Sequence, residues 1–221
     1  MPIKAFLFDL DGVIVDTATY HYQAWKRLAN ELGFDISEEF NERLKGVSRT
    51  ESLDIILAHG GLTLSDDQKA DLAAQKNGWY LDLVSRMTSD DILPGVANFF
   101  SQVRKANLET ALGSVSKNAG LILDRIGMKG VFDAVIDGNQ ITHGKPDPEV
   151  FTKGAQALDV LPTECVVFED AVAGIEAGRR AGMFTVGLGS PDVLIGADMV
   201  APSLAGLTVD EVLEKANSRP A

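Results

Sequence analysis

Ile3-Lys4-Ala5-Phe6-Leu7-Phe8-Asp9-Leu10-Asp11-Gly12 opens the chain with an apolar run that closes on two carboxylates. Residues 3–8 have the length and composition of a buried strand. Side chains alternate across a strand, so Asp9 and Asp11 lean toward one side where it gives out, and Gly12 lets the backbone turn away behind them. Two carboxylates so placed suit one held charge and one moved proton. Alone, Asp11-Gly12 is more often an ordinary turn than a site; the rest of the chain reverses that preference.

From residue 92 onward, strand-like and helix-like stretches alternate. Strands are expected at 108–113, 132–136, 165–168 and 184–188, with helices at 96–106, 119–126, 149–158 and 171–181. That alternation implies right-handed crossovers and a mostly parallel sheet covered on both faces, a Rossmann-like α/β core. Residues 16–90 read as helices only. Ala18, Tyr22, Trp25, Ala29 and Leu32 form one helical stripe that stops at Gly33, and a second helix runs from near Ser37 to before Lys45-Gly46. Ser48-Arg49-Thr50-Glu51 is a capping-box pattern opening a third helix with Leu53, Ile56 and Leu57. Ser65-Asp66-Asp67-Gln68 opens a fourth, with Leu72, Tyr80, Leu83 and Met87 as its stripe. The expected organisation is a core of residues 1–14 and 95–221 interrupted by a four-helix cap of residues 15–94, with hinges near 13–17 and 90–95.

At 221 residues, 45% hydrophobic and 24% charged, the chain is long enough for a large core. Its apolar runs are too short for a membrane span, and its start reads as strand rather than signal peptide, which points to a soluble, cytoplasmic protein. The one cysteine, Cys165, lies in an apolar run and excludes an internal disulfide; a buried small hydrophobe is its expected role. Net charge is −12, and no Lys/Arg block marks a nucleic-acid or anionic-membrane surface. An anionic ligand would have to be held by a few converging cations or a metal, because the overall field repels it.

Open α/β sheets bind ligands beyond the carboxyl ends of their strands. Asp9 and Asp11 follow the first expected strand, Ser114-Val115-Ser116-Lys117-Asn118 the second, Lys145-Pro146 the third and Glu169-Asp170 the fourth. Each group has a plainer explanation: Ser116 or Asn118 as a helix cap, Lys145 as a loop lysine, Glu169-Asp170 as acids at a helix start. Their joint position at one sheet edge favours a site. Converging carboxylates with no clustered His or Cys suit Mg²⁺ rather than zinc, and the lysines suit a phosphoryl group whose charge must be stabilised. No phosphate loop for a nucleoside triphosphate is present, and Gly187-Leu188-Gly189 is too short to suggest a dinucleotide site.

With these motifs the chain resembles the haloacid dehalogenase superfamily of phosphotransferases, and within it the phosphomutases of glucose phosphates. The superfamily likeness rests on Asp9-Leu10-Asp11-Gly12, the Ser at the second strand's end, Lys145 before Pro146, and the acidic pair. The closer likeness rests on Asp16-Thr17, His21 with Trp25, Leu44-Lys45-Gly46-Val47-Ser48-Arg49 with Ser52, Lys76-Asn77, and residues 114–118. The resemblance implies Asp9 as a nucleophile that becomes an aspartyl phosphate and Asp11 as general acid and base. It implies Mg²⁺ on Asp9, the Asp11 backbone carbonyl and Asp170, with Glu169 in or beside that shell, and Ser114 and Lys145 on the transferring phosphoryl oxygens. Ser116, Lys117 and Asn118 would grip phosphate and sugar, and Arg49 the non-reacting phosphate. Thr17, His21, Trp25, Lys45, Gly46, Val47, Ser52 and Lys76 complete the implied substrate contacts. His21 and Lys76 would couple cap closure to placement of Asp11, although without that likeness a packed histidine and a snorkelling lysine are the plainer explanations. His59 and His143 read as loop residues. Val115, where relatives often carry Ala, and the segment His143-Gly144 depart from the pattern.

The implied reaction converts β-glucose 1-phosphate to glucose 6-phosphate through β-glucose 1,6-bisphosphate, which serves as intermediate and activator. A sugar-phosphate phosphatase is the nearest alternative, and a non-catalytic switch phosphorylated on Asp9 the next. Oriented groups reach effective molarities of about 10⁵ M or more, so a positioned sugar hydroxyl outcompetes water if the cap closes. Nothing in the sequence asks for more than a monomer.

Overall fold

The computed structural model describes residues 2–219. In chain order it contains β1 (Ala5–Phe8), α1 (Ala18–Glu31), α2 (Glu38–Glu42), α3 (Arg49–His59), α4 (Asp66–Val84), α5 (Val96–Lys105), β2 (Glu109–Gly113), α6 (Ala119–Arg125) and β3 (Ala134–Ile136). There follow α7 (Glu149–Ala157), β4 (Cys165–Glu169), α8 (Val172–Arg180), β5 (Phe184–Leu188), β6 (Met199–Ala201) and α9 (Val209–Asn217). The six strands form one sheet in the order β3-β2-β1-β4-β5-β6, every pair parallel.

β1 is central and wholly buried, which is why its sequence is apolar without alternation. Phe6 and Phe8 point to one face, where Phe8 stacks on Phe168 at 4.7 Å and Phe6 meets Phe99 of α5 at 6.1 Å. Ala5 and Leu7 point to the other, against Val150, Phe151 and Ala155 of α7. Each buried Phe, Leu or Val among them stabilises the fold by about 1.5–3 kcal/mol. Gly154 lets α7 approach this closely, since a Cβ there would stand 2.9 Å from Leu7 Cδ2. Cys165 is buried in β4, as its sequence context suggests.

The four helices α1–α4 lie in the chain between β1 and β2 and share an apolar cluster of their own, with Trp25, Leu28, Phe40, Leu44, Leu53, Ile56 and Leu57 at its centre. Both expected capping boxes are present: Ser48 Oγ accepts from Glu51 N and Ser65 Oγ from Gln68 N. The segments entering and leaving this insertion run side by side, with an antiparallel bridge between Val15 and Ile92 and a 2.9 Å bond from Leu93 N to Ile14 O.

Several expectations are corrected. β1 starts at Ala5 rather than residue 3, and β3 at Ala134 rather than 132, although Phe132 is still buried. The sheet has a sixth strand, β6, followed by α9, neither of which was expected. α4 ends at Val84, so Met87 packs from beyond it, and the buried line of α4 is Lys76, Tyr80 and Val84 rather than one through Leu72 and Leu83. His59 is the last residue of α3, its ring 4.4 Å from that of Phe40, not a loop residue. Among the described residues no helix is long and apolar enough to cross a membrane.

Candidate active site

At the end of β1 the parallel ladder continues for one residue, Asp9 N donating to Phe168 O at 3.0 Å, and this fixes the Asp9 backbone against β4. Asp11 N then donates to Asp9 Oδ2 at 3.0 Å, so the first carboxylate anchors the turn that carries the second. Gly12 is required there: its φ is +80°, and a Cβ would stand 2.1 Å from Asp170 Oδ2.

Beneath Asp9 lies Lys145, almost fully buried, its Nζ donating to Asp9 Oδ1 and Glu169 Oε1 at 2.5 Å each. The other oxygen of Glu169 accepts from Ala171 N at 3.0 Å. Gly174 of α8 leaves room for that carboxylate, because a Cβ there would lie 1.9 Å from Glu169 Cδ. Oxygens of Asp9, Glu169 and Asp170 all fall within 4.8 Å of one another. Burial first, opposed by Lys145 and reinforced by Asp9, pushes Glu169 up to about 7. Burial and then Glu169 and Asp9 raise Asp170 well above the usual carboxylate range. Negative charge is therefore in excess here, on hard oxygen donors alone. Such a set fits a small divalent cation such as Mg²⁺.

Asp11 reaches about 7 for related reasons: burial raises it, the Asp9 charge raises it further, and a hydrogen bond from the Thr17 hydroxyl to Asp11 Oδ1 pulls it down. Thr17 is completely buried, so its hydroxyl orients Asp11 from behind.

Above the sheet edge is a cavity of about 620 Å³. Asp9, Asp11, His21, Trp25, Lys45, Gly46, Val47, Arg49, Ser52, Lys76, Ser116, Lys117, Asn118 and Asp170 line it, so the structure brings together most of the residues singled out in the sequence. Thr17, Ser114, Lys145 and Glu169 stand behind the lining. Ser114 Oγ accepts from Ser116 N at 3.1 Å, and Ser116 Oγ from Asn118 N at 3.3 Å, which shapes the loop after β2. The Asn118 side chain does not cap α6; its Nδ2 donates to Asn77 Oδ1 of α4 at 2.9 Å, across to the insertion.

Lys76 is the least ordinary residue of the insertion. It is almost wholly buried, its Nζ 2.9 Å from His21 Nδ1, 4.3 Å from the Trp25 ring centre and 4.8 Å from that of Tyr80. Burial, then the nearby Arg49, holds its pKa well below the usual lysine value, and burial followed by Lys76 and Arg49 does the same to His21. The snorkelling explanation of Lys76 is thereby set aside. Lys45, half-buried, pairs with Glu42 at 2.8 Å and lies 3.9 Å from Asp170 Oδ2.

The lining also holds residues that the sequence did not single out as a site: Glu51, Gly138, Ile141, Thr142, His143 and Gly144. Gly138 carries a signal only in three dimensions, since a Cβ there would stand 2.2 Å from Val115 O.

A family model described as haloacid dehalogenase-like hydrolase matches residues 3–182. The chain is 42% identical over 215 residues to a β-phosphoglucomutase of Bacillus subtilis, covering 96% of this chain and 95% of that one. It is 30% identical over 186 residues to a phosphorylated carbohydrates phosphatase of Thermotoga maritima, covering 82% of each. The crystal structure of a β-phosphoglucomutase from Clostridium difficile superposes with a TM-score of 0.94 at 44% identity, covering 97% of both chains.

Proposed function

Since the chain belongs to the haloacid dehalogenase-like hydrolase family, we propose that it is a β-phosphoglucomutase, converting β-D-glucose 1-phosphate reversibly to D-glucose 6-phosphate. The observation that carries this reading beyond likeness is that one cavity is lined both by the Asp9–Asp11 pair and by Arg49 and Lys117. A phosphatase has to hold one phosphate; a mutase working through a bisphosphate has to hold two.

Asp9 attacks the phosphorus of β-glucose 1,6-bisphosphate, the bond from phosphorus to the sugar oxygen breaks, and Asp11 gives its proton to that oxygen. Asp11 then takes the proton of the 6-hydroxyl of an incoming β-glucose 1-phosphate and that oxygen attacks the aspartyl phosphate, freeing Asp9; the bisphosphate so formed turns round and presents its other phosphate to Asp9, and that transfer releases glucose 6-phosphate. A carboxyl held near 7 suits both directions of proton transfer at neutral pH. Lys145 and Ser114 hold the transferring phosphoryl oxygens; Arg49, whose planar fork binds phosphate oxygens in pairs, holds the other phosphate with Ser116, Lys117 and Asn118. Asp9, Asp170 and the Asp11 carbonyl would hold Mg²⁺, with Glu169 beside them. When bound, Mg²⁺ supplies the positive charge that the phosphoryl oxygens and the carboxylate cluster lack. Residues 15–94 act as a cap over residues 1–14 and 95–221, closing to exclude water. The protein works in the cytoplasm as a monomer on small sugar phosphates, without nucleic acid or membrane, in keeping with its net charge of −12.

The test is a coupled assay with Mg²⁺, β-glucose 1-phosphate and a trace of the bisphosphate. Glucose 6-phosphate should form without matching release of inorganic phosphate; release of phosphate alone would make the protein a phosphatase.

A further inference from the structure

Gly144 stands one residue before Lys145, in the loop between β3 and α7, and lines the cavity. Its φ is not in the left-handed region, so its backbone does not demand glycine. Its surroundings are tight. The three heavy atoms nearest to a Cβ built on it all belong to the insertion: Glu51 Oε2 at 3.0 Å, Ser48 Cβ at 3.3 Å and Ser48 N at 3.5 Å. Moving Glu51 aside disrupts two hydrogen bonds, because the same Oε2 accepts from Ser48 N at 3.3 Å and Ser48 Oγ at 2.6 Å, completing the capping box of α3. Arg49, the first residue of α3, lies inside that box and faces the cavity.

We propose that Gly144 and the Ser48–Glu51 capping box form a docking seat: the first turn of α3 rests on bare backbone beside Lys145, and the depth of that rest sets how far Arg49 comes down over the site. Gly144, Ser48 and Glu51 are positioning residues, acting on the distal phosphate through Arg49. This rests on the role given to Arg49 above. A side chain at 144 presses on the first turn of α3, by a few tenths of an ångström for Ala and by more for a larger residue, whereas the carboxylate end of the site, built by β1, β4 and Lys145, keeps its geometry. The penalty should therefore appear in binding of a substrate with a distal phosphate and not in attack on a phosphoryl group that has none. It should also depend on the length of residue 51, because the closest approach is to the end of that side chain.

The experiment is a double-mutant cycle of Gly144→Ala with Glu51→Asp, which shortens the side chain by one methylene and keeps the acceptor. KM for β-glucose 1-phosphate in the mutase assay should rise about fivefold in Gly144→Ala, or about 1 kcal/mol, the low end of an overpacked contact. Hydrolysis of acetyl phosphate should stay within about twofold of wild type, and the double variant should match Glu51→Asp alone to the same tolerance. An unchanged KM in Gly144→Ala, a rise that Glu51→Asp does not relieve, or an equal loss on both substrates would overturn the seat. Absence of glucose 6-phosphate with the wild-type protein would instead overturn the mutase reading. The seat is then decided by small-angle scattering, where Gly144→Leu should give a larger radius of gyration than wild type and equal radii would refute it.

Discussion

Replacing Lys145 with methionine should unfold the protein at neutral pH far more readily than a surface change would, and by an amount that pH controls. The wild-type ammonium is almost completely buried and sits 2.5 Å from both Asp9 and Glu169. Both carboxylates raise its pKa against the effect of burial, so it stays charged through the neutral range and its contribution is lost only in strong alkali. Methionine fills a similar volume and leaves two buried carboxylates facing each other with Asp170 beside them. Breaking one partner out of a buried ion pair costs about 3–5 kcal/mol. The stranded carboxylates can escape by binding protons. A carboxyl whose folded pKa lies above its unfolded value is most stabilising below the unfolded pKa and loses that contribution as pH rises through the folded one. The deficit of Lys145→Met should thus be largest at pH 7.5 and shrink toward pH 5.5, by up to about 1.4 kcal/mol per pH unit for each proton bound beyond those wild type binds. Urea unfolding followed by the fluorescence of Trp25 and Trp79, in the presence of a chelator at both pH values, measures this. A deficit below about 1 kcal/mol at pH 7.5, or one equal at the two pH values, would refute the view that Lys145 holds the cluster together.

Asp11→Asn should still accept phosphate on Asp9 but turn it over about 10²–10⁴-fold more slowly, leaving a phosphoenzyme visible by mass spectrometry; full mutase activity would remove Asp11 from proton transfer. Thr17→Val deletes the hydrogen bond that lowers the pKa of Asp11, so the limb of the kcat/KM profile set by Asp11 should move to higher pH. An unmoved profile would separate the two residues. Mg²⁺ should raise the melting temperature of the wild type, where it relieves the carboxylate cluster, and do so much less in Asp170→Asn; an equal rise in both would place the ion elsewhere.

The central strand was legible because burial on both faces forces an apolar run, and the charges at its end could lie only where parallel sheets put their loops. The capping boxes were legible because they are local chemistry. β6 was not: Met199–Ala201 is three half-buried or buried residues at the sheet's edge, too short for a pattern. The stripe of α4 was read one position off at its end, through Leu83 instead of Val84, and the lysine at the stripe position 76 reads as a snorkelling side chain until its amine is seen packed against Trp25, Tyr80 and His21 in the buried line. Gly138 was not singled out, and Gly144 was noted only as a departure from the family pattern, because what they make room for lies in other segments of the chain. The carboxylates and lysines announce themselves by charge; the two glycines announce themselves only by what a side chain would strike.

The pairing of Val15 with Ile92 has a consequence for how the insertion is held. The segments by which it leaves β1 and reaches α5 are hydrogen-bonded to each other, so the two ends that residues 16–91 connect are already neighbours. The tether is not the whole attachment: Ala24, Tyr80, Val84 and Met87 share a buried apolar cluster with Phe6, Phe8 and Phe168 of the sheet, so the side chains behind Lys76 are also side chains of the core. A change in how the insertion packs is thereby felt at β1, whose end carries Asp9 and Asp11.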